Sequence, residues 1–213
     1  MQALTQLTAK VAIMDRDNVD TDAIMPKQYL QSVKKNGYGD WAFDDWRYLD
    51  PGEVSTDTAT RRVNPDFELN QAQAQGAEVL ITRDNFGCGS SREHAVWGIR
   101  DMGFRVIIAS SFGDIFLNNC FNNGVLAISL PKDEIQALFE NCEQGSTLSV
   151  DLENQTISAS GKEYPFEVEA MRRYRLLNGL DSIGMTLGKS EQIREFESKH
   201  KAKHHYFFTP LAR

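Results

Sequence analysis

Residues 77–109, AEVLITRDNFGCGSSREHAVWGIRDMGFRVIIA, decide the reading of the fold. Ala77–Thr82 is an apolar run of strand length. Asp84–Ser90 is a turn with glycine at Gly87 and Gly89. Ser91–Met102 has helical spacing, and Phe104–Ala109 is a second apolar run. Strands separated by helices of this kind imply β-α-β units around a mostly parallel sheet. The alternation continues downstream. Ser111–Asn122 reads as a helix with Ile115, Phe116, Cys120 and Phe121 for one face. Val125–Leu130 reads as a strand, and Pro131 opens a helix to about Glu143, since proline suits a first helical turn. Upstream, Lys10–Met14 is a buried strand. It runs into Asp15–Asp22, where four of eight residues are aspartate. Such a run belongs to a loop at a strand end, where functional groups concentrate.

Beyond Gly145 the pattern changes. Thr147–Leu152 and Thr156–Ala159 read as a hairpin, and Tyr164–Val168 as a further strand. Glu169–Asn178 is helical and closes at Gly179, a residue suited to the left-handed end of a helix. Residues 189–202 form a charged helix. Between the first strand and residue 77, Pro26 precedes a short helix at Lys27–Val33. Residues 34–76 are irregular, yet they carry Trp41, Phe43, Trp46, Tyr48 and Phe67. That aromatic content implies a packed functional or docking segment rather than a linker.

The chain has 213 residues, 41% hydrophobic and 25% charged, with net charge −7. This is globular usage, long enough to bury a core without disulfides or a structural metal. The acidic balance does not favour nucleic acid as partner. A small anion remains compatible, because a few arginines can be focused in one cleft. No stretch reaches the length of a membrane span, and MQALTQLTAK has no secretory h-region. Cys88, Cys120 and Cys142 form no C-x-x-C, and an odd, scattered set suits a reducing cytoplasm.

The segment from Asp84 to His94 carries the chemistry. Ser90 and Glu93 match the S-x-x-E capping box, which places a helix start here. A helix start offers free backbone N–H groups and the positive end of a dipole to a carboxylate or phosphate. Arg92 in the first turn calls for an anion. Glu93, a nearby aspartate or a bound carboxylate would each serve. The known phosphate and nucleophile loops fail: no lysine follows as in G-x-x-x-x-G-K-[ST], G-x-S-x-G does not fit, and G-x-G-x-x-G fails at Arg92.

Asn85–Ala95 (NFGCGSSREHA) resembles the signature of the aconitase superfamily swivelling domain. Asn18–Pro26 (NVDTDAIMP) resembles its N-terminal signature. Ser111–Phe116, Asn118-Asn119 and Asn122-Asn123-Gly124 resemble a third block. Arg172-Arg173 and Asn178–Leu187 resemble the end of its isopropylmalate dehydratase small-subunit branch. The resemblance implies an α/β swivelling domain of three layers, β/β/α, over residues 1–213, with 34–76 as an insertion and 189–213 as C-terminal helix and tail. It implies a hydro-lyase subunit that isomerises 2-isopropylmalate to 3-isopropylmalate by dehydration and rehydration. A 4Fe–4S cluster is then held by a large subunit, with no metal on this chain. By position, Ser90 is the base and Asp22 the second catalytic residue, while Ser91 and Arg92 bind substrate carboxylate. Where aconitase reads an extra carboxylate with an arginine, this chain has Tyr29-Leu30-Gln31-Ser32-Val33. A neutral lining suits an isopropyl group, since a buried carboxylate without a partner is costly. Tyr29, Leu30 and Gln31 are therefore expected at the substrate. Core packing is the alternative for Tyr29 and Leu30. The partners expected are the large subunit and a small dicarboxylic acid, with no nucleic acid, no membrane, and a homo-oligomer when alone. A methylmalate- or maleate-type hydro-lyase subunit and a non-catalytic acid-binding module are the alternatives. His94 is expected to pack, Asn118, Asn119, Asn122 and Asn123 to satisfy loop backbone, and His200 and His204 to sit on an exposed helix. Arg172 and Arg173 face a partner or solvent.

Overall fold

A computed structural model describes residues 1–34 and 36–207. Lys35 lies outside the described residues, as does the tail end at 208–213.

The apolar runs become strands. β1 (Gln6–Ile13), β2 (Val79–Ile81), β3 (Val106–Ala109) and β4 (Leu126–Ser129) pair in parallel, with Val11 opposite Val79, Val79 opposite Val106, and Val106 opposite Leu126. Side chains alternate between faces along a strand. Val11, Val79, Ile81, Val106, Ile108, Leu126 and Ile128 enter one apolar cluster. Ala12, Leu80, Ile107, Ala109 and Ala127 enter another. Both faces of β2, β3 and β4 are covered, so these runs are continuously apolar, whereas β1 alternates over Gln6–Lys10 before its buried end.

The other edge of β1 pairs antiparallel with β5 (Thr147–Asp151), which continues to β6 (Thr156–Ala159) and β7 (Lys162–Pro165). The sheet order is β4-β3-β2-β1-β5-β6-β7. The expectation of a mostly parallel sheet is corrected here: the antiparallel half is as large as the parallel one. The cause lies in β5 to β7, which join through tight turns. Along β5, Leu148 and Val150 are buried and Ser149 and Asp151 are not, the pattern of a half-solvated antiparallel sheet. The sheet curls, so the apolar face of β5–β7 shares a cluster with one face of the parallel half. This is the β/β/α layering expected for the swivelling domain. The last strand spans Lys162–Pro165 rather than Tyr164–Val168.

The short helices α1 (Thr21–Ile24) and α2 (Asp44–Arg47) come early in the chain. They and the longer α3 (Glu93–Asp101) and α4 (Asp114–Asn122) cover the first cluster, with Ile24, Val96, Ile99, Phe116 and Cys120 inside it. α5 (Lys132–Asn141) covers the second with Ile135 and Leu138. α6 (Ala170–Asn178) ends at Gly179 as expected. α7 (Ser182–Leu187), which the sequence pattern does not announce, is capped by Asp181, whose carboxylate accepts from the Gly184 N–H at 2.7 Å. α8 (Ser190–Lys203) buries none of its residues.

The irregular segment is packed. Tyr38, Trp41, Phe43 and Phe67 are buried in the first cluster. Arg16 lies 4.5 Å over the Trp46 ring and pairs with Glu68 at 2.6 Å, tying the β1 loop to this segment. Among the described residues no helix is long and apolar enough to cross a membrane.

Candidate active site

The loops leaving β1, β2 and β3 meet at one end of the parallel half. Backbone hydrogen bonds knit them together. Asn18 donates to Asp84 (2.9 Å), Gly87 to Val19 (2.7 Å), Thr21 to Cys88 (2.9 Å), Phe86 to Ser111 (3.0 Å) and Gly113 to Phe86 (3.0 Å). Isolated bridges pair Asp20 with Cys88 and Phe86 with Phe112. These loops thus continue the sheet's hydrogen bonding past the strand ends and gain its rigidity.

The aspartates of the first loop have separate tasks. Asp15 pairs with Arg83, whose guanidinium holds its carboxyl below the ordinary range. Asp17 accepts from the Asp84 N–H at 3.0 Å. Asp20 caps α1, accepting from the Ala23 N–H at 2.6 Å. Asp22, which follows in the first turn, pairs with Arg92.

Gly87 sits at φ +72°, and a Cβ there would enter the Phe116 ring. Glycine is therefore required twice over, by backbone sign and by contact. Gly87→Ala is expected to destabilise the chain by about 1–3 kcal/mol through overpacking. The check is a lowered thermal midpoint, with only part of the loss recovered by a second, space-making change, Phe116→Leu, because the positive φ still penalises alanine.

The helix start differs from the capping box. α3 begins at Glu93, with Arg92 at the cap position and no side-chain cap. Ser90 uses its carbonyl instead, which accepts from the Arg92 N–H (2.9 Å) and from Thr21 Oγ1 (2.8 Å). Glu93 is drawn away to accept from Asn123 Nδ2 at 2.8 Å, at the end of α4. Asn123 also accepts from Trp97 Nε1 at 3.0 Å. With its carbonyl engaged and its hydroxyl not used as a cap, Ser90 presents its side chain outward. Ser90 and Ser91 are exposed, and Arg92 is half-buried beside Asp22. A depression of about 250 Å³ is lined by Gly87, Cys88, Gly89 and Ser90 on one side and Gly113–Phe116 on the other.

Asp22, Ser90, Ser91 and Arg92 thus come together. Tyr29, Leu30 and Gln31 lie on a neighbouring 3-10 turn, Lys27–Gln31, and do not line this depression. Tyr29 is fully buried, Leu30 half-buried and Gln31 exposed. His94 packs between Tyr38 and Trp97, with centroid distances of 5.4 and 4.5 Å, and burial lowers its pKa. Arg172 lies 4.9 Å over Phe121, and Arg173 donates to the Glu153 carbonyl at 2.6 Å, so both contact their own chain.

Sequence reasoning missed Asp84. Its carboxylate accepts from Lys132 Nζ (2.7 Å), from the Ser111 hydroxyl and from the Ser110 hydroxyl (3.2 Å). Lys132 and then Ser111 hold its pKa at about 2. A depressed carboxyl pKa stabilises the fold above the unfolded value and ceases to do so as pH falls through the folded one. Asp84→Asn is therefore expected to flatten the pH dependence of the thermal midpoint between pH about 4 and about 2. Melts at several pH values in that window check it. The sequence holds no signal for this anchor, because Lys132 is 48 positions away.

The cysteines do not converge. Cys88 lines the depression, Cys120 lies in one apolar cluster and Cys142 in the other, and burial pushes all three thiols up. Among the described residues no three His, Cys, Asp or Glu side chains are grouped to hold a metal ion. The side chains present do not fit an iron–sulfur cluster.

Residues 1–133 match the family model of the aconitase C-terminal domain. Residues 136–170 match the LeuD N-terminal model, and residues 182–204 match the model for the C-terminal domain of the 3-isopropylmalate dehydratase small subunit. The 3-isopropylmalate dehydratase small subunit of Aromatoleum aromaticum is 56% identical, with 98% of this chain and 99% of that one covered. That of Neisseria meningitidis is 52% identical over the same shares. A crystal structure of 3-isopropylmalate dehydratase from Methanocaldococcus jannaschii superposes with a TM-score of 0.61 at 26% identity. The match covers 91% of this chain and 99% of that one. The signature loops, the curled sheet and these near-full-length matches agree, and the chain belongs to the 3-isopropylmalate dehydratase small-subunit family of the aconitase superfamily.

Proposed function

We propose that this chain is the small subunit of a cytoplasmic hydro-lyase that interconverts 2-isopropylmalate and 3-isopropylmalate in leucine biosynthesis. The whole of 1–213 acts as one swivelling domain against the large subunit. The 4Fe–4S cluster belongs to that subunit, and no step below passes through this chain's cysteines. Alone, the chain is expected to cover its partner-facing surface by self-association.

The observation that carries this reading is the turn at Ser90. Its carbonyl is tied to Thr21 and to the Arg92 N–H, and the residue is exposed. Ser90 takes the proton from the carbon next to a substrate carboxylate and returns it on rehydration. A serine is a weak base at its ordinary pKa. The start of α3, the Ser91 N–H and Arg92 supply the positive potential that favours its alkoxide. Ser91 and Arg92 bind the carboxylate.

Asp22 suits an exchange partner for that carboxylate. Its side chain is 53% exposed and that of Arg92 21%. Asp22 is thus open to water, while the Arg92 Nη1 that meets it is buried. A substrate carboxylate that replaces Asp22 leaves the Arg92 guanidinium with an anionic partner, so the exchange does not strand a buried charge. Asp22 is then free to orient a catalytic group of the large subunit. Leu30 and Gln31 give the neutral lining for the isopropyl group.

Reconstitution tests the reading. The chain is mixed with an anaerobically reconstituted large subunit, and 2-isopropylmalate, 2-methylmalate and citrate are assayed in parallel. Turnover of isopropylmalate only with both chains present is the expected result. Turnover of 2-methylmalate alone would move the substrate assignment, and a formed complex inactive on every acid would defeat the catalytic role of Ser90.

A further inference from the structure

Thr21, the residue before Asp22, is a polar side chain held inside the fold, 1% exposed. It reaches the signature turn at both ends. Its N–H has no intrahelical acceptor at the start of α1 and donates to the Cys88 carbonyl at 2.9 Å. Its hydroxyl donates to the Ser90 carbonyl at 2.8 Å. The two bonds grip the turn on either side of Gly89.

Gly89 is the pliable point of that turn. Its φ is +89°, and an added Cβ would meet no other residue closer than Asp20 Cβ at 3.5 Å. Packing therefore does not hold Gly89, in contrast to Gly87, whose open side is filled by the Phe116 ring. Glycine adopts either sign of φ readily, so hydrogen bonds must settle the direction of the residue that follows. The Arg92 N–H also reaches the Ser90 carbonyl, at 2.9 Å, but it lies two residues along the same turn and moves with it. Thr21 grips from a different loop. That loop is itself fixed, with Ile24 fully buried and the Met25 N–H on the Thr21 carbonyl at 2.9 Å.

A trans peptide is planar, and its carbonyl and N–H point to opposite sides. The Ser90 carbonyl is turned inward to Thr21, so the Ser91 N–H of the same peptide faces away from it. We propose that Thr21 is a positioning residue for Ser90: its buried hydroxyl holds the Ser90–Ser91 peptide in the orientation from which Ser90 takes the substrate proton. Thr21 itself does not touch substrate. The inference rests on the reading of Ser90 as the base.

The test uses the full chain in complex with the cluster-bearing large subunit. Thr21→Val keeps the shape and removes the hydroxyl, and Thr21→Ser keeps the hydroxyl. Both are assayed on 2-isopropylmalate, with rates expressed per assembled complex measured by size exclusion. Thr21→Val is expected to lower kcat by about 10–100-fold, the cost of a slightly misplaced reacting group, with KM within about threefold of wild type. Thr21→Ser is expected to return kcat to within about threefold of wild type. Substrate deuterated at the carbon that gives up its proton locates the loss. In Thr21→Val the primary isotope effect is expected to be at least as large as in wild type, because proton removal is the step that has slowed. A kcat in Thr21→Val within about twofold of wild type, an equal loss in Thr21→Ser, or an isotope effect that shrinks would overturn the proposal. Where Thr21→Val does not assemble, Thr21→Cys, whose thiol is a weak donor, decides by the same criteria. Full activity of Ser90→Ala defeats the functional reading and this inference together. A large loss in Ser90→Ala beside wild-type kcat in Thr21→Val defeats this inference alone.

Discussion

Ser90→Ala in the assembled enzyme is expected to lower kcat for 2-isopropylmalate by about 10²–10⁴-fold, the usual contribution of a positioned general base. KM should move little. The fold uses the Ser90 carbonyl, which bonds Thr21 Oγ1 and the Arg92 N–H, and alanine keeps that carbonyl. The Arg92–Asp22 pair is likewise untouched. The variant should therefore melt at the wild-type temperature and bind its partner normally. A drop in kcat with unchanged KM and unchanged melting isolates the hydroxyl as the group acting in the transition state. Full activity would remove Ser90 from the mechanism and favour a simple acid-binding role for the loop.

Asp44→Ala is expected to cost about 3–5 kcal/mol of stability, because it leaves the charge of Arg61, whose side chain is 3% exposed, buried without its carboxylate. For a chain of this size that is a fall of roughly 6–20 °C in the thermal midpoint. The double variant Asp44→Leu with Arg61→Met removes both charges and refills the space. It should lose less than half as much as Asp44→Ala alone, since well-packed apolar groups can replace a buried pair at little cost. Thermal melts of the wild type and both variants decide the matter. A double variant that loses as much as the single one would show that the ion pair itself, rather than the orphaned charge, carries the stability.

Much of this architecture is legible in the sequence, for identifiable reasons. β2 to β4 announce themselves because strands buried on both faces must be apolar throughout, whereas only the end of β1 is legible, since Gln6–Lys10 alternates and the strand starts at Gln6 rather than Lys10. The loop from Asp84 to Arg92 is legible because glycine at Gly87 answers a positive φ and a ring contact that no other residue tolerates. The size of the antiparallel half is not legible as a share of one sheet, since pairing of β1 with β5 is a long-range choice. The helix start at Glu93 escapes the capping rule because Asn123, 30 positions away, competes for the Glu93 carboxylate. The same limit hides the Asp84–Lys132 anchor and the Asp44–Arg61 pair. Local patterns report what a residue prefers. They do not report which distant partner outbids that preference.

β1 lies between the two halves of the sheet, and its pairing has a temporal side. On one edge its partner is β2, some 70 residues downstream, where Val11 meets Val79. On the other its partner is β5, where Gln6 meets Asp151. Contacts so distant along the chain make folding slow, because loop closure must precede any reward from pairing. On the ribosome the N-terminal strand emerges first and waits for both neighbours. At synthesis rates of about 5–20 residues per second, more than 140 residues separate Gln6 from its last partner by roughly 7–30 s. During that interval the Gln6–Lys10 edge, with Leu7 and Ala9 on its apolar face, has no strand to pair with, and an open strand edge of this kind invites association with other chains.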